Sequence, residues 1–308
     1  MARMLITGGL GFIGWHLFNR LTAIGHTATL IDNLRHPSQH IQLPLQWPHR
    51  FIQGDIRDPE LIREVMQGID TVFHLAAQSG VAESNKDPDY TFTTNVGGTV
   101  NVLTAASREG VQRLVFASTR EVYGEPAVLP VSEQQQPNPK NTYGSSKVAA
   151  EAYCSTLGNS GGLTTVILRI TDVYGEGDTV GLIPPLIEGA CRNEDIVIHG
   201  GERLLDFVMV ETVVDALIRA ANPQVQPTVI NIGSGQGVRM TDLAARILAV
   251  TGSQSRVVIS PRREAEVVRF IADIRRMEGI LEIVPPSDPL IGLEALAEAC
   301  QRRMVNHY

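Results

Sequence analysis

The order of apolar segments predicts an α/β protein built on a doubly wound parallel sheet, with a smaller C-terminal α/β lobe. Short apolar runs alternate with helical patterns up to about residue 170, and a glycine-rich turn joins the first run to the first helical pattern. Beyond residue 170 the segments become shorter and more charged. We therefore expect a sheet domain over residues 1–170, to which segments near 205–235 return, and a smaller lobe over residues 171–308 interleaved with it.

The first strand, helix and second strand carry the most specific pattern in the chain. An apolar run at residues 4–6 leads through Gly8 into three glycines with G-x-G-x-x-G spacing, which are Gly9, Gly11 and Gly14. An apolar helix follows, and a strand at 27–31 ends on Asp32. Glycines let the backbone turn tightly and approach a pyrophosphate, which the free N–H groups at a helix N-terminus then bind. The pattern predicts a dinucleotide-binding site.

Asp32 predicts which dinucleotide is bound. A carboxylate at the tip of the second strand accepts hydrogen bonds from the adenosine ribose of NAD and repels the 2′-phosphate of NADP. Arg35 and His36 follow closely, and a cation at this place would weaken the preference unless it is a solvated loop charge. We expect NAD as the cofactor.

The alternation continues through the rest of the sheet domain. We expect strands at 51–54, 71–77, 112–118 and 165–170, and helices at 59–67, 90–109 and 143–157. Asp58 is expected to cap the helix that Pro59 begins, because proline fits the first position of a helix. Since ligands of doubly wound sheets bind beyond the carboxyl ends of the strands, the polar residues at those ends are the candidate site.

The C-terminal part reads as a mixture of short elements. We expect helices at 184–192, 241–250, 273–281 and 293–303, with Thr241 as an N-cap, and strands at 196–199, 207–210 and 228–232. No internal repeat or low-complexity segment is visible in the sequence.

Composition excludes several classes of protein. The net charge of −7 and the lack of a basic run argue against nucleic acid as a partner. No stretch approaches the roughly 20 apolar residues of a membrane span, and the N-terminus leads directly into a strand, so we expect a cytoplasmic protein. Three cysteines, Cys154, Cys191 and Cys300, are far apart in the sequence and are expected to be buried free thiols, with no metal site.

Tyr143 and Lys147 are the candidate catalytic pair. They stand at i and i+4 of a predicted helix and so share a face. An ammonium near a phenol is expected to lower the pKa of the phenol, so that it exchanges a proton with a substrate hydroxyl while hydride moves to a nicotinamide. The pair alone is common by chance, but the dinucleotide pattern upstream and Ser118-Thr119 at the end of an intervening strand favour this reading.

These motifs together resemble the extended short-chain dehydrogenases/reductases, within the NAD-dependent sugar-nucleotide epimerase/dehydratase family. The resemblance covers nearly the whole chain. It rests on TGGLGFIG (7–14), GDIRD (54–58), HLAAQSGV (74–81), NVGGT (95–99), STREVYG (118–124), YGSSK (143–147), DVYG (172–175) and NIGSG (231–235). Family members hold NAD on a Rossmann domain and bind a nucleotide sugar with the smaller lobe.

The resemblance implies a role for individual residues. The implied cofactor contacts are Gly8, Gly11, Phe12, Ile13, Gly14, Asp32, Asn33, Asp55, Ile56, Leu75, Ala76, Ala77, Gln78, Tyr143 and Lys147. The implied substrate contacts are Ser79, Val81, Ser84, Thr119, Arg120, Asp172, Arg263 and Glu266. Tyr143 is implied as the acid/base, with Lys147 on the nicotinamide ribose, Thr119 on the reacting hydroxyl and Glu121 in the position of an elimination base. Asn95 is expected to support the fold, and family members commonly form homodimers.

Several positions depart from the family pattern. Arg120 stands where dehydratases carry a proton donor, and a guanidinium is a poor acid at neutral pH. Asp172 replaces the usual asparagine and Leu205 the usual arginine, which lowers the positive potential for a diphosphate. Arg263 and Glu266 still fit the family's late arginine-plus-acid feature. We hypothesise that Arg120 and Asp172 face one another and reshape the sugar pocket.

Three enzymatic readings follow from the sequence. The leading one is an NAD-dependent epimerase of a nucleotide-activated sugar, acting through a transient keto intermediate. A dehydratase or decarboxylase that uses Glu121 is the second. An NAD-dependent oxidoreductase acting on a substrate without a nucleotide is the third, motivated by Asp172 and Leu205. A non-enzymatic cofactor-binding protein would have no use for Thr119, Tyr143 and Lys147.

Overall fold

The computed structural model describes residues 2–36, 49–158, 162–262 and 265–305. Its strands are β1 (Arg3–Thr7), β2 (Thr27–Asp32), β3 (Arg50–Gln53), β4 (Thr71–His74), β5 (Arg113–Thr119), β6 (Thr164–Ile170), β7 (Asp172–Tyr174), β8 (Ile196–His199), β9 (Leu204–Leu205), β10 (Phe207–Met209), β11 (Thr228–Ile232), β12 (Val238–Arg239) and β13 (Val257–Ser260). Its helices are α1 (Phe12–Ala23), α2 (Pro59–Met66), α3 (Val81–Lys86), α4 (Pro88–Phe92), α5 (Thr99–Arg108), α6 (Thr142–Leu157), α7 (Ile183–Cys191), α8 (Val210–Ala220), α9 (Met240–Thr251), α10 (Arg275–Leu281) and α11 (Leu293–Val305). A π-helical segment, Thr93–Gly98, joins α4 to α5, and a 3₁₀ turn, Arg120–Tyr123, follows β5.

Seven parallel strands form the central sheet, in the order β11-β6-β5-β4-β1-β2-β3. This confirms the predicted doubly wound sheet. From β1 the chain crosses to β2 on one side, and the later strands add on the other side, beginning with β4. The reversal opens a crevice between the carboxyl ends of β1 and β4, which is where such folds bind ligands.

Helices cover both faces of the sheet. One face packs on α1, α8 and α10 through an apolar layer that includes Leu17, Leu217 and Met277. The other packs on α2, α5 and α6 through a layer that includes Ile62 and Leu103. Because both faces are covered, the central strands are continuous apolar runs rather than alternating ones.

A third apolar core joins the C-terminal elements. It includes side chains of α7, α9 and α11 together with β8, among them Ile187, Ile247 and Leu293. β11 lies beyond residue 171 in sequence but pairs with β6 in the central sheet. The division of the chain into two lobes at residue 170 stays a prediction.

The helix expected at 90–109 is not a single α-helix. It divides into α4, the π-helical segment and α5. The apolar residues repeat at spacings that suit one helix throughout, so periodicity alone does not reveal the wider π turns. The π-helical segment carries Asn95, whose side chain bonds neighbouring loops as described below.

Other boundaries differ from the predicted ones. The strand expected at 71–77 ends at His74, after which the chain becomes irregular, and Val210 begins α8 instead of ending a strand. Thr241 is not an N-cap, because α9 begins at Met240 with Arg239 before it. The Asp58 cap is confirmed, since its carboxylate accepts the N–H groups of Glu60 and Leu61. Helices α3 and α8 and strand β13 were not predicted.

The described part of the chain has neither a membrane-spanning helix nor a metal-binding cluster. No helix there is long and apolar enough to cross a membrane, and no group of three His, Cys, Asp or Glu side chains is arranged to hold a metal ion. The cysteines are free thiols, with Cys154 and Cys300 buried as expected and Cys191 half-buried.

Candidate active site

The glycine turn after β1 forms a cradle with no room for a side chain at Gly8 or Gly14. Gly8 has a φ of +68°, and a Cβ at this residue would lie 2.8 Å from the backbone nitrogen of Ala76. A Cβ on Gly14 would overlap the carbonyl oxygen of Gly8. Helix α1 begins at the next turn with Gly11 as its N-cap, and among the described residues no side chain caps its first N–H groups. The space and the free donors fit the pyrophosphate of NAD.

Asp32 is held rigidly at the end of β2. One carboxylate oxygen accepts the N–H of Leu10 at 3.1 Å, and the other accepts the N–H of Leu34 at 2.8 Å. Both bonds leave lone pairs that can accept ribose hydroxyls. The carboxylate therefore points into the cleft from the place that the sequence predicts.

A small polar network surrounds Asn33, at the end of the cleft where the sequence predicts the adenosine. Asn33 donates to Asp55 at 3.0 Å, and Arg57 donates to the same carboxylate at 2.9 Å. Partial burial alone would raise the pKa of Asp55, but the bonds from Arg57 and Asn33 outweigh it and lower this pKa to about 2. The guanidinium of Arg35 stacks on the Tyr90 ring, 3.8 Å from its centroid. Arg35 thus lines the cleft with its cation against an aromatic face.

The cleft has a volume of about 570 Å³ and gathers most of the predicted cofactor residues. Its walls include Gly8, Gly11, Phe12, Ile13, Gly14, Asp32, Asn33, Ile56, Leu75, Ala76, Ala77, Gln78, Tyr143 and Lys147, together with the predicted substrate residues Ser79 and Thr119. Asp55 lies behind Asn33. A cleft of this size, with one apolar floor and polar groups at both ends, suits a dinucleotide.

Tyr143 and Lys147 enter the cleft from α6. Asn141 caps this helix by accepting the N–H of Gly144 at 2.8 Å. The Lys147 ammonium donates to the Ala117 carbonyl at 2.8 Å and lies 6.0 Å from the centroid of the Tyr143 ring. Burial lowers the pKa of Lys147 to about 8. The i, i+4 spacing therefore places both groups at the end of β5, beside Thr119.

The pKa of Tyr143 does not move in the expected direction. Burial raises it above its ordinary value, the negative charge of Glu121 raises it further, and a hydrogen bond with the Thr119 hydroxyl lowers it only in part. Lys147 was expected to lower this pKa, but its ammonium is bonded to Ala117 instead of the phenol. The expected lowering of the Tyr143 pKa was therefore wrong for the chain without ligands, because desolvation of the phenol outweighs the effect of the Lys147 ammonium at this distance.

Arg120, Glu121 and Asp172 form a buried charge cluster beside Tyr143. Arg120 binds Asp172 through two bonds, at 2.8 and 3.2 Å, and its other terminal nitrogen lies 3.0 Å from a Glu121 oxygen. Burial alone would lower the pKa of Arg120, but the two carboxylates outweigh it and raise that pKa. The second Glu121 oxygen accepts a bond from Asn141 at 2.7 Å. The hypothesis that Arg120 and Asp172 face one another is confirmed.

The remaining predicted substrate residues lie farther along the C-terminal elements or on α3. Arg203 is buried, and one of its terminal nitrogens lies 3.0 Å from a Glu266 oxygen. Ser84 is fully buried beneath Gln78, and Val81 begins α3. Arg263 lies outside the described residues. The cleft walls do not include Ser84, Val81 or Glu266, so their contact with a substrate stays a prediction.

Two residues that organise the site were missed at the sequence level. Asn141 bonds Glu121, the start of α6 and the Ala265 carbonyl, at 2.7, 2.8 and 3.2 Å. The preference of asparagine for N-caps could have identified it. Tyr90 gave no comparable signal, because its stacking partners are distant in sequence.

Comparisons with known proteins agree with this geometry. Residues 4–233 match the model of the NAD dependent epimerase/dehydratase family. A putative UDP-glucose 4-epimerase of Methanocaldococcus jannaschii is 33% identical over 284 residues, which are 90% of this chain and 92% of that protein. A UDP-N-acetyl-alpha-D-glucosaminuronate decarboxylase of Bacillus cytotoxicus is 34% identical over 273 residues, which are 84% of this chain and 83% of that protein.

A solved structure extends the agreement to the whole fold. The UDP-glucose 4-epimerase of Thermotoga maritima, crystallised with UDP-glucose, superposes with a TM-score of 0.92 at 30% identity and covers 99% of both chains. The family model spans most of this chain. The protein therefore belongs to the NAD-dependent epimerase/dehydratase family.

Proposed function

We propose that this protein interconverts the 4-epimers of a UDP-activated hexose through a transient 4-keto sugar. The observation that carries the proposal is the meeting of Thr119, Tyr143 and Lys147 at one end of the cofactor cleft. The similarity to UDP-glucose 4-epimerases supports the substrate class.

In this proposal Tyr143 exchanges the proton of the reacting hydroxyl. Its phenolate removes the proton from the 4-hydroxyl, while the Thr119 hydroxyl holds the same oxygen. Bound NAD supplies the hydride acceptor and afterwards the donor. The keto sugar turns in the pocket so that C4 takes the hydride back on its other face, and Tyr143 returns the proton to the 4-oxygen. Burial raises the pKa of Tyr143, so the phenolate needs stabilisation, which in this proposal comes from the Thr119 hydroxyl and the Lys147 ammonium.

The surroundings of Glu121 favour epimerisation over elimination. Both of its carboxylate oxygens have partners, in Arg120 at 3.0 Å and Asn141 at 2.7 Å, and the side chain is buried. Each oxygen keeps a further lone pair, but Glu121 does not line the cleft that Thr119, Tyr143 and Lys147 enter, whereas an elimination base must reach a sugar carbon there. A dehydratase or decarboxylase reaction remains the second candidate, supported by the similarity to the Bacillus decarboxylase.

The surroundings of Asp172 weaken the case for a substrate without a nucleotide. That reading depends on negative potential where a diphosphate would lie. The two bonds from Arg120 compensate the Asp172 carboxylate, so its charge does not face the pocket alone. We therefore retain a nucleotide diphosphate as part of the substrate.

The test is incubation of the purified holoenzyme with UDP-glucose, UDP-N-acetylglucosamine or UDP-glucuronic acid, followed by proton NMR of the sugar. We expect one of these to reach an equilibrium with its 4-epimer without net NADH formation. Tyr143→Phe is expected to lower turnover at least about 100-fold.

Each alternative has a distinct product. Loss of carbon dioxide, or a 4-keto-6-deoxy sugar, would establish the lyase reading in place of ours. Steady accumulation of NADH would establish a dehydrogenase. Near wild-type turnover of Tyr143→Phe would remove the assigned acid/base.

A further inference from the structure

His74 lies fully buried beneath the cofactor cleft, at the end of β4. Both of its ring nitrogens contact hydroxyl groups. Nδ1 lies 2.7 Å from the Thr7 oxygen on β1, and Nε2 lies 2.9 Å from the Thr99 oxygen on α5. The proposed reaction makes no use of this imidazole, although it lies between the cofactor turn and the π-helical segment.

The direction of every bond around His74 follows from its neighbours. The Thr99 hydroxyl donates to the Asn95 carbonyl at 2.6 Å, which can only accept. A hydroxyl has one proton, so toward His74 the Thr99 oxygen must accept, and Nε2 must carry the hydrogen. Nδ1 of the neutral ring is then the acceptor, and the Thr7 hydroxyl donates to it. The Thr7 oxygen in turn accepts the Ala76 N–H at 3.2 Å.

The Thr7 end of this chain of bonds reaches the cofactor turn. Ala76 packs against Gly8 so closely that a Cβ on Gly8 would lie 2.8 Å from its nitrogen. The Ala76 N–H that sets this approach is the one bonded to Thr7. The position of the cleft floor under the pyrophosphate site therefore depends on the Thr7 hydroxyl, which His74 orients.

The Thr99 end reaches the catalytic helix. Asn95 exchanges bonds with the main chain of Gln78 at 2.7 and 3.1 Å, and donates to Ser146 at 2.9 Å. Ser146 lies on α6 and donates to the carbonyl of Tyr143 at 2.7 Å. The π turn that presents the Asn95 side chain is fixed at its carbonyl by Thr99. One continuous set of bonds thus runs from the cofactor turn to the main chain of Tyr143.

We propose that His74 is a positioning residue which, as the neutral Nε2–H tautomer, fixes the spacing between the cofactor turn and the catalytic helix. It touches neither cofactor nor substrate. Burial, with the nearby Lys147 charge, lowers the pKa of His74 to about 3 and agrees with a neutral ring. The turnover part of the test below rests on the proposed function, and the other two parts do not.

The first measurement is the tautomer. In protein with ¹⁵N-labelled histidine, long-range proton–nitrogen spectra at neutral pH are expected to show one imidazole whose Nε2 is protonated and whose Nδ1 is not. His74→Asn identifies the resonance by its loss. An Nδ1–H tautomer or an imidazolium at this residue overturns the proposal.

The second measurement separates the Thr7 end of this set of hydrogen bonds from the Thr99 end. Thr7→Val is expected to weaken NAD binding about 10-fold, with kcat at saturating NAD changed less than about 2-fold. Thr99→Val is expected to lower kcat about 10-fold, with NAD affinity changed less than about 2-fold. Thr7→Ser and Thr99→Ser keep the hydroxyl and are expected to stay within about 2-fold of the wild type.

Thr165→Val is the matched control. Thr165 is buried on β6, and its hydroxyl has no hydrogen-bond partner among the described residues, so we expect no change in either quantity. Three outcomes would overturn the proposal. They are equal effects of Thr7→Val and Thr99→Val on both quantities, no effect of either variant, and serine variants that do not keep the wild-type values. If the wild type turns over no UDP-sugar, the proposed function fails, and the tautomer and the NAD affinities still decide the role of His74.

Discussion

Among single residues, Arg120 holds the buried charge cluster together. Its side chain is 6% exposed and touches two carboxylates, those of Asp172 and Glu121. A buried ion pair contributes little net stability over an apolar replacement of the whole set, but removal of one partner leaves an uncompensated charge. The cluster therefore fixes the positions of these three side chains rather than adding stability.

Arg120→Met is expected to lower the free energy of unfolding by about 3–5 kcal/mol, because Asp172 and Glu121 lose their counter-charge. Urea denaturation followed by circular dichroism measures the loss. Arg256→Met, which removes an exposed ion pair with Asp195, is the control and should leave the midpoint unchanged. Adding Asp172→Asn to Arg120→Met should restore part of the stability. Unaltered stability of Arg120→Met would show that the three charges are not coupled.

The buried ammonium of Lys147 lowers the stability of the folded protein. Burial holds the pKa of Lys147 near 8, against 10.5 for an unburied lysine. Between these values the unfolded chain binds a proton that the folded chain has lost, so the stability of the wild type rises with pH across this window. At pH 7 the full penalty of burying the ammonium is present.

Lys147→Met is expected to abolish turnover and yet unfold at higher urea concentration than the wild type at pH 7. The gain is at most about 3 kcal/mol and should shrink as pH rises from about 8 to 10.5. Lys86→Met, at an exposed residue of α3, is the control. A variant that is less stable than the wild type at pH 7 would contradict the assigned burial penalty.

At the level of elements, the glycine cradle depends on contacts between backbones. The close approaches at Gly8 and Gly14 involve main-chain atoms of the turn and of Ala76, which cannot rotate away. A side chain at Gly14 would push α1 away from β1 and remove the free N–H groups from the predicted pyrophosphate site.

Gly14→Ala is expected to weaken NAD binding at least about 100-fold and to lower the melting temperature. Gly279→Ala is the matched control, because Gly279 is also helical but a Cβ there meets no described atom within 4 Å. That variant should gain about 0.5–1 kcal/mol from helix propensity. Calorimetric titration with NAD and thermal unfolding measure both effects. Normal NAD affinity of Gly14→Ala would contradict the cradle.

The sequence was most informative where local chemistry and fold coincide. The glycine spacing, Asp32 and the Tyr143–Lys147 pair could be placed in one cleft because parallel strands bring their carboxyl ends together. The direction of the Tyr143 pKa could not be predicted, since it depends on burial and on Glu121, which only the folded chain brings close. The π turns around Asn95 were missed because apolar periodicity continues unbroken through them. Helix α8 was not predicted, although its buried residues Val210, Val213, Val214 and Leu217 repeat at helical spacing.

Across the whole molecule, a segment near residues 267–273 ties the C-terminal elements to the sheet. Val131 accepts the N–H of Asp273 at 2.9 Å and donates to Ile271 at 2.7 Å, and Asn231 of β11 donates to the same Val131 carbonyl at 2.8 Å. Glu125 accepts two further N–H groups of this segment. The Phe270 ring of this segment lies 5.8 Å from the Arg120 guanidinium, so the segment packs beside the charge cluster of Arg120, Glu121 and Asp172.

We also expect the protein to form a homodimer through the helices around residues 90–109 and 143–157. Phe92, Tyr153 and Leu157 are 61%, 42% and 38% exposed on this side of the chain. Tyr153→Glu combined with Leu157→Glu is expected to shift the mass measured by light scattering from two chains to one. Val284→Glu, at a residue that is 78% exposed elsewhere, should leave the mass unchanged. A monomeric wild type at micromolar concentration would refute the expectation.

The shared guanidinium of Arg120 also constrains how this pocket can evolve. The carboxylates of Asp172 and Glu121 share the Arg120 guanidinium as a counter-charge. A lineage that loses Arg120 first would therefore pass through a destabilised protein, which proteases degrade. Replacing Asp172 by a neutral residue first costs less stability, since Arg120 would keep its ion pair with Glu121. Replacement of Asp172 should therefore precede replacement of Arg120 in sequences that descend from this one.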